Sequence, residues 1–152
     1  GAAHVEGCGS IEGVAQAKGE LFAGARAGDT CCINIDDHRV ATRSIPKGVH
    51  KISYGRSVDA DIQLVQGHVG DWSTKVLIKT PNGTLEATIP VPGDFMALNA
   101  CAAVAVGLAA GVELEMIQRG LENYTPVGMR MRLETAGHIR FYLAPKLDEG
   151  EE

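Results

Sequence analysis

The chain has 152 residues, of which 45% are apolar and 22% charged, and its formal net charge is −5. That composition suits one packed globular domain and excludes a long disordered chain. The negative balance, with no basic run longer than two residues, argues against a nucleic-acid backbone as partner.

The first element is a helix over 10–25, opened by Ser10 as N-cap. Within "GSIEGVAQAKGELF", Ile11, Val14, Ala15, Leu21 and Phe22 recur at spacings of three, four and seven, and Lys18 falls on that stripe. A lysine there either snorkels at the border of the stripe or is buried and neutralised, the minority case that marks functional lysines. The run Cys31–Ile35 reads as a short buried strand ending in Asp36 and Asp37. Carboxylates at a strand end fit a ligand site of an α/β sheet, and equally a turn or N-cap for the segment beginning at His38. Residues 51–55 and 60–70 are two more strands.

The hairpin signal follows. Trp72, Thr74, Val76 and Ile78 alternate with Ser73, Lys75, Leu77 and Lys79, Asn82-Gly83 suits a type I′ turn, and Leu85, Ala87, Ile89 and Val91 share one face of the return strand. Residues 95–110 form a helix that is apolar nearly all round and is therefore expected to be buried, with Asp94 at its start and Gly111 at its end. Asn99 is its one polar side chain mid-helix; buried, it must bond to neighbouring backbone or read a ligand such as a base edge. A second helix over 113–124 is amphipathic through Leu114, Ile117 and Leu121. Arg130 and Arg132 then alternate in an extended stretch, either as surface residues or with one arginine on a phosphate, and "HIRFYLA" forms a last strand. Helices with a sheet that includes an antiparallel part make the chain α/β or α+β.

Other chemistry is absent or slight. His4 and Glu6 lie two apart and share one side of an extended segment. Cys8, Cys31, Cys32 and Cys101 include no CxxC pair, which disfavours a zinc site or disulfide framework and favours a reducing compartment. No membrane span and no secretion signal are read. Phosphate-loop, dinucleotide and nucleophile-elbow motifs are missing.

The order of motifs carries more. "AHVEGCGSIEGVAQAKGELF", "INIDD", "IPVPGDFMALNACAAVAVGLAAGV" and "TPVGMRMRLE" together resemble the central domain of the Mur ligases, nearest the D-alanyl-D-alanine-adding type in a plant or algal version. The resemblance covers about residues 1–135, a partial central domain with an incomplete mixed sheet, helices and a small antiparallel hairpin subdomain; 136–152 is a divergent segment with an acidic tail. Mur ligases phosphorylate a substrate carboxylate with ATP, and an incoming amine attacks the acyl phosphate. The resemblance implies ATP and magnesium as cofactors. It implies that His4 and a carbamylated Lys18 hold the ion, with Lys18 also catalytic, that Asn99 contacts adenine, and that Arg130 lies near the phosphates. It gives Asp36 and Asp37 no chemistry.

The chain also departs from the family pattern. The phosphate loop of the family lies upstream of residue 1, Phe95-Met96 stands where a His-Asn pair is usual, and "GMR" stands where "PGR" is expected. After "RLE" the match stops. Two expectations follow. One is a piece of an ATP-dependent ligase, inactive alone, in a bacterial-type cytoplasm. The other is a non-catalytic structural subunit of a larger assembly in an organelle such as a plastid. Either needs protein partners over exposed sheet edges.

Overall fold

A computed structural model describes residues 10–126, 132–136 and 139–143, with backbone course alone for Ile11, Lys18 and the last two segments. In chain order the elements are α1 (Ile11–Ala23), β1 (Thr30–Asn34), α2 (His38–Ala41), β2 (His50–Gly55), β3 (Ile62–Val69), β4 (Thr74–Thr80), β5 (Gly83–Ile89), α3 (Asp94–Ala109), α4 (Leu114–Glu122), β6 (Arg132–Ala136) and β7 (Ile139–Leu143). The first five strands form one sheet in the order β1-β2-β3-β4-β5. β1, β2 and β3 run parallel, and β3, β4 and β5 antiparallel. This is the mixed α/β sheet that the motif order implies. The hairpin is the antiparallel end of that same sheet, because Leu64 of β3 pairs with Ile78 of β4. β6 and β7 pair antiparallel with each other.

Each element has a local cause. The Ser10 hydroxyl accepts the Gly13 N–H at 3.0 Å and starts α1. Gly111, at φ +75°, closes the turn after α3 in a backbone region that costs glycine little. α3 begins without a side-chain cap, since Gly93 holds the cap position and Asp94 is the first helical residue. The hairpin turn differs from the expected one. Thr80 pairs with Gly83, so the two loop residues are Pro81 and Asn82. Proline fixes φ near −65°, which rules out a type I′ turn, where both central residues need positive φ. The Thr80 hydroxyl instead binds the corner, donating to Gly83 O at 2.9 Å and accepting from Asn82 N–H at 3.1 Å. Trp72 precedes β4 and lies in the connection that the Gly70 N–H closes onto Ser73 O at 2.8 Å.

The core sits between one face of the sheet and α3 with α4. Leu64, Val76, Ile78, Leu85, Ala87 and Ile89 meet Met96, Ala97, Ala100, Cys101, Val104, Ala105 and Ile117. The expectation of a wholly buried α3 is corrected. Its apolar far side stays open, with Phe95 54% and Val106 57% exposed. A sheet covers only one side of a helix, and among the described residues α4 is the helix that packs against α3.

Polar groups inside are paired. Thr74, fully buried, donates its hydroxyl to Val91 O at 2.8 Å. Buried Ser53 bonds reciprocally with exposed Asp61: the carboxylate accepts Ser53 N–H at 2.8 Å and its hydroxyl at 2.6 Å, and Asp61 N–H returns to Ser53 Oγ at 3.0 Å. The Ser53 hydroxyl bond, then its backbone bond, hold the Asp61 carboxyl below the usual carboxylate range. A depressed folded pKa gives stability that is present above the unfolded value and lost as pH falls through the folded one. Melting points of wild type and Asp61→Asn should therefore differ most near neutrality and converge only as pH falls beneath the ordinary carboxylate range. A gap that persists unchanged into acid would contradict the assignment.

Candidate functional site

The carboxyl ends of the parallel strands and the start of α3 meet at one corner. Asn34 Oδ1 accepts Asp36 N–H at 3.0 Å and turns the chain as it leaves β1. Asp36 then reaches across to the β2–β3 loop, accepting Arg56 N–H at 2.7 Å and Ser57 N–H at 3.3 Å. Asp37 caps α2 by accepting Arg39 N–H at 3.0 Å, so the turn-and-cap reading of the pair is the observed one. The loop pinned by Asp36 carries Arg56, whose guanidinium donates to Asp94 Oδ1 at 2.9 Å. The corner thus links β1, β2 and the first residue of α3. Nearby, burial pushes the Cys101 thiol up to about 12, against a smaller opposing effect of Arg56. A thiol so protonated is no nucleophile at neutral pH.

A cavity opens on the next turns of α3. It holds about 140 Å³ and is lined by Ile89 of β5, Met96, Asn99, Ala100 and Ala103 of α3, and Leu121 and Tyr124 at the end of α4. Asn99 is the one amide there, and it is exposed rather than buried. This corrects the expectation of a core asparagine: Asn99 stands on the side of α3 that the sheet leaves open. Its two N–H donors and its carbonyl acceptor share the slot with the phenol of Tyr124 and apolar walls.

The remaining expected site residues fall otherwise. Lys18 lies on α1, within its span Ile11–Ala23, and its side chain is outside the described residues, as are His4 and Arg130. Among the described residues no three His, Cys, Asp or Glu side chains group to hold a metal ion. Along β1, whose only described partner is β2, a groove of about 540 Å³ is lined by Leu21, Phe22, Thr30, Cys31, Cys32 and Val106. No helix among the described residues is long and apolar enough to cross a membrane.

A mixed sheet with one helical layer over its core face defines an α/β domain. The Mur ligase middle domain matches residues 1–107, and the chain belongs to that family. Within it, the chain is similar to the UDP-N-acetylmuramoyl-tripeptide–D-alanyl-D-alanine ligases of Escherichia coli and Haemophilus influenzae, at 33% identity over 132 and 129 residues. Those matches cover 86% and 85% of this chain but 29% and 28% of the relatives, so it spans less than a third of their length. Among solved structures, MurF from Acinetobacter baumannii superposes with a TM-score of 0.84 at 27% identity, over 94% of this chain and 31% of that one. MurF from Thermotoga maritima, solved with ADP, superposes at 0.76 over 94% of this chain and 33% of that one, and at 17% identity shows the fold alone.

Proposed function

We propose that this domain serves an ATP-dependent ligase that adds D-alanyl-D-alanine to a UDP-muramoyl-tripeptide, with Asn99 reading the adenine of ATP. The observation that carries the reading is the slot itself: a small cavity on α3 with one amide facing it. An amide that both donates and accepts pairs with the edge of adenine, which presents a donor beside an acceptor. Bound ATP would supply the phosphoryl group that activates the carboxylate. Family resemblance adds Arg130 near the phosphates, and His4 with a carbamylated Lys18 at magnesium. The 33% identity to D-alanyl-D-alanine-adding enzymes over 86% of the chain supports this reading over a non-catalytic subunit.

The test is calorimetric titration of the protein in its natural full-length form with magnesium and ATP. Saturable binding is expected, weakened on the order of 10-fold by Asn99→Ala, as for loss of one or two ligand hydrogen bonds. No binding by the wild type would overturn the reading.

The same reading includes a polypeptide segment over the edge of β1 that no described residue pairs. An open strand edge flanked by apolar surface invites pairing, and Leu21 is 76% exposed beside it. The isolated 152-residue chain should therefore sediment as an associated species, and Leu21→Glu with Val106→Lys should shift it toward monomer. A stable monomer at all concentrations for the unmutated chain would contradict this.

A further inference from the structure

We propose that Tyr124 forms the aromatic wall against which the base lies in the α3 slot, and that Ala103 is kept small to leave room for it. The inference rests on the nucleotide reading above and adds two residues to it. The cavity, at about 140 Å³, is far below the ~300–1,000 Å³ pockets that enclose whole ligands. It takes one flat moiety and leaves the rest outside, as a nucleotide seated by its base requires. Three elements converge to make it. β5 brings Ile89, α3 brings Met96, Asn99, Ala100 and Ala103, and the chain leaving α4 brings Tyr124. Tyr124 follows the end of α4, where its N–H donates to Leu121 O at 3.3 Å. Its side chain is 41% exposed, so it borders the slot without being consumed by the core. A ring with both an apolar face and a wet edge is what a half-open base site uses, since stacking on an aromatic face tolerates partial exposure. Ala103 is exposed on the same side of α3 as Asn99, one helical turn on. Ala103 lines the slot, so a larger side chain there would reduce its volume.

The experiment uses the full-length protein, with ATP and inorganic tripolyphosphate as probes in calorimetric titration. Tyr124→Leu should weaken ATP by on the order of 10-fold, the effect of losing one base–aromatic stack, while Tyr124→Phe keeps wild-type affinity. Ala103→Leu should weaken ATP at least as much with unchanged far-ultraviolet dichroism. None of the three should alter tripolyphosphate binding. If the wild type binds ATP and both Tyr124→Leu and Ala103→Leu bind it equally well, this inference fails and the nucleotide reading stands. Equal losses for ATP and tripolyphosphate would also overturn it, by showing a general disturbance. If the wild type binds no ATP, both fail together.

Discussion

Replacing Ile78 with alanine is expected to lower folding stability by about 2–5 kcal/mol, the range for removing a large aliphatic side chain from a packed core. Ile78 is fully buried. It lies on β4, an interior strand between β3 and β5, and its own face is roofed by α3 and α4. Loss there removes apolar contact and leaves a cavity that a five-stranded sheet cannot close by shifting one strand. Lys79, the next residue, points to the open face and is exposed; Lys79→Ala should change stability by less than about 0.5 kcal/mol. Urea unfolding of both variants checks the contrast, and similar costs for the two would mean that the core lies elsewhere.

The second large effect is expected at Gly55. A Cβ built on it lies 2.5 Å from Asp36 Oδ1 and 2.8 Å from its Cγ. Asp36 cannot step aside cheaply, because its two oxygens already hold the Arg56 and Ser57 amides. Gly55→Ala should cost about 1–3 kcal/mol, as overpacking of a fixed site does. It should also free the β2–β3 loop, with faster hydrogen exchange at the Arg56 and Ser57 amides. Asp36→Ala should speed the same exchange with no clash, since it removes the acceptor alone. Unchanged protection in both variants would remove Asp36 from its anchoring role.

These two positions show what the sequence discloses and what it withholds. The alternation from Thr74 to Ile78 and from Leu85 to Ile89 locates the core face directly, because strand side chains switch sides at every residue and both lysines of the first strand fall on the other side. Helix ends are similarly legible through Ser10 and Gly111. The Asp36 anchor is not, since its partners stand 20 and 21 residues away and no local pattern pairs a carboxylate with distant backbone amides. The turn at Pro81-Asn82 is misread because Asn-Gly is a strong signal and the pairing of Thr80 with Gly83 is decided by register. Asn99 stands out in an apolar helix, but its exposure depends on which side of α3 the sheet covers, a tertiary fact. Tyr124 gives no sequence signal at all. It matters only because α4 ends beside α3 and β5, and an aromatic residue just past a helix end ordinarily reads as packing.

The most direct measurement of the central claim is ADP release by the full-length protein given magnesium, ATP, a UDP-muramoyl-tripeptide and D-alanyl-D-alanine. The account predicts release that depends on both the tripeptide and the dipeptide and that falls sharply in Asn99→Ala. Release that ignores the dipeptide, or its complete absence in the wild type, would contradict it.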